Sequence, residues 1–384
     1  MINLDANASY GILPEVQEEL KKFDSTYLNP SSVHQFGQKA KSILEQARGQ
    51  LKTLLKAEKF KIIFTSGATE ANNTAVYSVL WQVLNSKPAL FNGNIVTTAV
   101  EHSSVRKPLQ RLEAFGIEIR KLPVKREEGL DLGALPSFLD KNTLLVSIMS
   151  SNNETGQIFP VTQALEITKK YAPNALFHTD AVQNLGKTEI NLSDLNVHFL
   201  SLSAHKAGGL TGVGALIVSE NTPYLPLILG GEQEEKWRAG TENTAGILSF
   251  LTVARVLNSS LKEKIKKMEE GRSILKEQFL SLIPQAKINF DNCPRLPNTI
   301  SLCIEGVSGA DLVVASDLEG VAISAGSACF SGKPLPSPVL EASGLSKQEA
   351  QSTVRISLKA EWEKEELLEA GEKIARAAKR LRNI

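Results

Sequence analysis

Apolar positions along the chain follow two different periods. Ala40, Ile43, Leu44, Ala47, Leu51, Leu54 and Leu55 recur every three or four residues and form one stripe, the pattern of an amphipathic helix. Just after it, Lys61-Ile62-Ile63-Phe64-Thr65 is a short apolar run closed by Ser66-Gly67, as expected of a buried strand. A helix is expected from Thr69 to Leu84. Further strand candidates are Asn94 to Ala99, Ile117 to Leu122, Thr143 to Met149, Ala175 to His178, Phe199 to Ser203 and Gly212 to Val218. Helical patterns near Ser104 to Phe115 and Thr162 to Tyr171 separate several of them. This alternation implies right-handed crossovers and an α/β fold, a mostly parallel seven-stranded sheet with helices on both faces.

Past about Asn243 the texture changes. A long helix is expected to about Leu282, and its charged run Lys262 to Glu270 reads as a solvated face laced with opposite charges. Strands near Thr299 to Ile304, Val321 to Ser324 and Val354 to Leu358 then suggest a smaller C-terminal α/β unit, joined by the extreme N-terminus. The basic close, Arg376-Ala377-Ala378-Lys379-Arg380, suits a helix C-terminus.

Composition narrows the class without naming a chemistry. The 384 residues include 43 basic and 42 acidic side chains, a net charge of +1, and no basic patch interleaved with aromatics. A nucleic-acid-binding role is therefore not expected. Three cysteines (Cys293, Cys303, Cys329) are too few for a disulfide-stapled secreted domain and favour a reducing, cytoplasmic setting. No signal peptide and no run of 18 uninterrupted apolar residues is read, so no membrane contact is expected, and no metal site is assigned.

In open parallel sheets, ligands lie beyond the carboxyl ends of the strands. The residues collected there are Ser66-Gly67-Ala68-Thr69-Glu70, Glu101-His102, Asn152-Asn153-Glu154-Thr155-Gly156, Thr179-Asp180-Ala181-Val182-Gln183 and Ala204-His205-Lys206. Singly, each has an ordinary explanation as a helix cap, a turn or an exposed side chain. Together they describe an anion cradle, a stacking ring, an amide, an acid and an amine. That set suits an aromatic phosphate cofactor with an imine link to the protein, as pyridoxal phosphate requires.

The stretch His178-Thr179-Asp180-Ala181-Val182-Gln183 followed by Ser203-Ala204-His205-Lys206 resembles the signature of class V aminotransferase-like enzymes of fold type I. Within that group the chain is most similar to the cysteine desulfurases of the NifS/IscS type, nearly end to end. The similarity includes Leu4-Asp5-Ala6-Asn7-Ala8, Asn29-Pro30-Ser31-Ser32-Val33-His34 and Thr65 to Asn73. It continues through Arg238-Ala239-Gly240-Thr241-Glu242-Asn243, Gly326-Ser327-Ala328-Cys329 and Val354-Arg355-Ile356-Ser357. The resemblance implies a large pyridoxal-phosphate-binding domain over residues 15–255. Residues 1–14 and 256–384 would form a small domain carrying the catalytic cysteine loop.

It also implies roles. Lys206 would carry the cofactor and move the α-proton, His102 would stack on the ring, and Asp180 would pair with the ring nitrogen. Asn153 and Gln183 would address the ring's 3-oxygen, while Thr69, Ser203, His205 and the backbone at Ala68 would hold the phosphate. Thr241 would reach the phosphate of a neighbouring subunit, implying a homodimer. Arg355, with Asn153, would bind the carboxylate of L-cysteine, and Cys329 would capture its sulfur as a persulfide for an acceptor, such as an iron–sulfur scaffold or a sulfur-relay protein. Independently of the resemblance, Cys329 lies among small residues and prolines that read as an exposed loop, which suits a reactive thiol. Cys303 falls in an apolar strand and reads as inert, and Cys293 in a polar turn with no role.

The alternatives are a selenocysteine lyase, another class V lyase or transaminase, and a non-catalytic sulfur-transfer scaffold. Departures from the family pattern are Gly209-Leu210-Thr211-Gly212, the acidic stretch Gly230 to Arg238, and Phe330 after the expected nucleophile.

Overall fold

The computed structural model describes residues 1–23, 29–80, 93–326 and 336–382. The last part of the expected Thr69–Leu84 helix, Phe330 and the loop carrying Cys329 lie outside the described residues. In chain order the strands are β1 (Ile2–Asn3), β2 (Phe60–Thr65), β3 (Asn94–Thr98), β4 (Glu118–Leu122), β5 (Val124–Lys125), β6 (Gly129–Leu130) and β7 (Thr143–Ser147). They continue as β8 (Leu176–Asp180), β9 (Phe199–Ser203), β10 (Gly214–Ser219), β11 (Ala286–Asn289), β12 (Thr299–Ile304), β13 (Val321–Ala322) and β14 (Thr353–Ser357).

The main sheet has seven strands in the order β2-β10-β9-β8-β7-β3-β4. All seven strand candidates from the periodicity lie in it. Four neighbouring pairs run parallel, whereas β10 is antiparallel to both β2 and β9, so the sheet is mixed at that edge. Strands β3, β8 and β9 are buried along their whole length, because helices cover both faces. On one face, Ala75 and Val76 of the helix Ala68–Tyr77 and Val105, Leu109 and Leu112 of the helix Ser103–Glu113 pack on Ile95, Leu145 and Leu216. On the other, the expected stripe of Leu44, Ala47, Leu51 and Leu55 joins Ile247, Phe250 and Leu257 against Val96, Val146 and Leu200.

A second core lies outside this sheet. Strands β11-β12-β14 form an antiparallel sheet, β1 pairs in parallel with β13, and Leu4 packs with Ile300, Val354, Ile356 and Ile374. The extreme N-terminus therefore packs in the C-terminal core. Strand β11 and the β5–β6 hairpin escaped the periodicity, because four-residue and two-residue runs carry too few positions to show a period. The helix Thr244–Leu282 spans both cores, burying Ile247 to Leu257 in the first and Leu275 and Phe279 in the second. Length and composition alone would let it cross a bilayer, yet 61% of its most apolar window is buried inside the protein.

Gly214 fixes how closely β10 approaches the turn after β2. A Cβ there would lie 2.7 Å from the Gly67 backbone and 2.7 Å from the Leu202 carbonyl oxygen. Backbone atoms cannot swing aside, so Gly214→Ala is expected to destabilise the chain by about 1–3 kcal/mol, read as a lower urea midpoint at unchanged slope.

Candidate active site

The carboxyl ends of β2, β3, β7, β8 and β9 open onto one cavity of ≈ 620 Å³. The main sheet contributes Ser66 to Thr69, His102, Asn153, Asp180, Gln183, Ser203, His205 and Lys206. The second core closes the opposite side with Asp5, Asn7, Ser324, Gly326 and Arg355. The candidates read from the sequence thus meet in one place, with two exceptions. Thr241 is exposed and does not line this cavity, and Cys329 lies outside the described residues.

Lys206 ends a short 3₁₀ turn after β9, and its Nζ donates to the backbone oxygens of Asn7 (2.9 Å) and Ala8 (2.8 Å). Burial, then the positive charge of Arg355, pushes its pKa down to about 8. Asp180, at the end of β8, accepts from Asn72 Nδ2 at 2.7 Å and from the Val182 amide at 3.0 Å. The same Asn72 amide also donates to Ser104 Oγ, which contacts His102 Nδ1 at 2.7 Å. His102 Nδ1 further accepts the Ser104 amide, which places the ring proton of the neutral imidazole on Nε2. Burial holds the pKa of His102 below its ordinary value, with Asp180 pulling the other way.

The other candidates are already engaged. Ser203 Oγ contacts His205 Nδ1 at 2.8 Å, and burial with the nearby Lys206 and Lys187 lowers the pKa of His205 to about 4. His205 is therefore neutral at neutral pH. Gln183 donates from Nε2 to the Asn7 carbonyl (3.0 Å) and accepts at Oε1 from the fully buried Lys187 (2.8 Å). Asn153 contributes its carbonyl, which accepts from Arg355 Nη1 at 3.0 Å and Asn7 Nδ2 at 3.2 Å. Arg355 also bonds Asp5 Oδ1 through Nη2 at 2.6 Å.

Asp5, Asn7, Asn72 and Lys187 carry no role in the sequence reading. Asp5 and Asn7 sit beside a two-residue strand, where periodicity marks no strand end, although they lie within the N-terminal motif. Cys303 is buried in β12 as expected, and burial raises its pKa. Cys293 does lie in a turn, but a buried one, donating to the carbonyl of Glu127 at 3.3 Å.

A phosphate and an aromatic aldehyde fit this donor set. The helix Ala68–Tyr77 starts at Gly67, with a φ of 148° and no side chain capping its first turn. A Cβ on Gly67 would meet nothing within 4 Å, so the turn borders open space beside the exposed Ser66 and Thr69. An amine poised near neutrality and a carboxylate line the same cavity.

Comparison with known proteins agrees with this class of site. The profile of the aminotransferase class-V family matches residues 2–369, and the chain belongs to that family, whose members depend on pyridoxal phosphate. Among curated relatives, cysteine desulfurase IscS of Dictyoglomus turgidum is 38% identical over 384 residues, covering 100% of this chain and 96% of its own. Among solved structures, a NifS-like protein superposes with a TM-score of 0.88 at 33% identity, covering 98% of each chain. SspA in complex with cysteine gives a TM-score of 0.80 at 30% identity, covering 94% of this chain and 99% of that one.

Only the free amine attacks electrophiles, so a lowered pKa brings reactivity to lower pH. The rate at which an amine-directed reagent modifies Lys206 in the cofactor-free protein, followed by mass spectrometry, is expected to reach half its plateau near pH 8. A lysine at its ordinary value would still be gaining about tenfold per pH unit there.

Proposed function

We propose that this chain is a pyridoxal-phosphate-dependent cysteine desulfurase, converting L-cysteine to L-alanine and passing the sulfur through a persulfide on Cys329. The observation that carries the reading is the meeting of Lys206, Asp180, His102 and the open Ser66–Thr69 turn in one cavity that Arg355 also lines. The names of the relatives, and the cysteine bound to SspA, support the choice of substrate.

When bound, pyridoxal phosphate supplies an aldehyde for the substrate amine and a ring that takes up electrons released at Cα. Lys206, His102, Asp180, Gln183 and the Ser66–Thr69 turn would hold it. The Asp180 carboxylate is kept in place by Asn72 and Val182 and would serve as the counter-ion for a protonated ring nitrogen. With its pKa near 8, Lys206 Nζ holds enough free base at mildly alkaline pH to remove the substrate α-proton and return it later. His102 carries an exchangeable proton on Nε2, and the Arg355 guanidinium faces the substrate carboxylate. The Cys329 thiolate takes the substrate sulfur: an S–S bond forms, the Cβ–S bond breaks, and its electron pair returns to carbon, which is protonated to alanine.

The persulfide sulfur then goes to an acceptor protein, such as an iron–sulfur scaffold or a sulfur relay, in a cytoplasmic setting. Homodimerisation is part of the proposal. It is supported by Thr241, exposed and outside its own cavity, and by exposed Leu227 and Leu229 on the segment before it.

Cys329→Ala is expected to abolish persulfide and alanine formation from cysteine while leaving the visible cofactor band and its change on cysteine addition; full turnover in this variant would refute the proposal. Asp5 already holds Arg355, so the substrate carboxylate must compete with it. Removing that competitor in Asp5→Asn is expected to lower KM for cysteine about two- to fivefold with a smaller change in kcat, in steady-state alanine assays.

A further inference from the structure

Outside the strand-end cavity, a second cavity of ≈ 310 Å³ lies between the C-terminal half of the helix Thr244–Leu282 and the loop after β11. It is lined by Arg272, Ser273 and Lys276 from the helix and by Asp291, Cys293 and Arg295 from the loop. Three cations here face a single carboxylate.

That carboxylate is fully used. Asp291 Oδ1 accepts from Arg295 Nη1 at 2.8 Å, and Oδ2 pairs with Lys276. Arg295 Nη2 donates to the Asn289 carbonyl at 3.1 Å. The Arg295 side chain is only 6% exposed, yet its Nε has no partner, and neither does the buried Nε of Arg272. Glu269 attracts Arg272 from one turn earlier on the helix, but it is exposed and does not line the cavity. Burial lowers the pKa of both arginines, that of Arg295 to about 10, which leaves Arg295 charged at neutral pH. Uncompensated positive charge and orphaned N–H groups held away from water are costly unless an anion completes them.

We infer that this cleft binds a small multivalent oxyanion of the phosphate class, held by the guanidinium groups of Arg272 and Arg295 with Lys276 at its edge. Guanidinium donors suit such an anion, because their planar forks address two of its oxygens at once. The cavity exceeds the volume of a bare phosphate ion, which leaves room for a small phosphorylated metabolite. The loop also touches the strand-end site: the Ile158 amide donates to the Pro294 carbonyl (2.8 Å) and the Leu296 amide to the Gly156 carbonyl (2.7 Å). An anion here would brace residues next to the Asn153 turn without entering the catalytic cavity.

The test uses inorganic phosphate on the protein saturated with pyridoxal phosphate, so that the Ser66–Thr69 cradle is closed to it. Millimolar phosphate is expected to raise the thermal midpoint by about 2 °C or more over chloride at equal ionic strength. Arg272→Gln and Lys276→Gln, both at partly exposed positions, are each expected to remove most of that rise. They should leave cysteine turnover in phosphate-free buffer unchanged. No rise beyond the chloride control, or an equal rise in whichever of these variants folds, would overturn the inference.

Discussion

The structure hangs on Asn7, a buried residue in an irregular segment whose every polar atom is bonded. Its amide donates to Ser357 Oγ (2.9 Å), and its carbonyl accepts from both Lys206 and Gln183. Its side-chain nitrogen donates to Thr299 Oγ1 and to the Asn153 carbonyl, and its side-chain oxygen accepts from Asn298. One residue thereby ties β12 and β14 of the second core to the strand ends of the main sheet. Removing Ser357 Oγ or the Asn298 amide would leave a buried polar atom of Asn7 unsatisfied, so the relative placement of the two cores is tightly held.

The electrostatics of the cavity follow from that closure. Burial lowers the pKa of Lys206, and bringing Arg355 against the strand ends adds a second cation to the same effect, so the pKa falls to about 8. Asp5 arrives with the same N-terminal segment and offsets part of that charge. Lys187, wholly buried and bonded to Gln183, has its pKa lowered to about 7, mainly by burial and then by Lys206 and Arg355. A site assembled from two cores can therefore tune its amine through groups that no single strand end supplies.

The acidic departure noted at Gly230 to Arg238 also has a structural reason. Glu234 forms a bidentate pair with Arg48, at 2.9 and 2.8 Å, and accepts from the Phe64 amide at the end of β2. Arg238 in turn bonds Glu70 in the first turn of the cradle helix (2.9 Å). Glu234, Glu235 and Lys236 all take positive φ angles of 48°, 54° and 72°, a costly run for residues other than glycine. The ion pair and the amide bond hold the strained turn against the cradle.

The sequence alone determined the layered α/β architecture, because strands covered on both sides must be apolar throughout and the helices covering them must carry a stripe. The inner strands of the main sheet show that signal, the edge strand β4 being largely polar, and the strand-end residues Lys206, Asp180, His102 and Thr69 were legible because strand ends are legible. What it did not carry was the far wall of the cavity. Asp5 and Asn7 lie in a stretch with no period, Asn72 lies on a helix like many polar residues, and Lys187 looks like any surface lysine until its burial is seen. Asp5, Asn7 and Asn72 act through partners 32 to 350 positions away in the chain, and Lys187 acts through a burial that its own local sequence does not announce. Their pairing was decided by tertiary structure, since contacts across two cores leave no local periodicity to read.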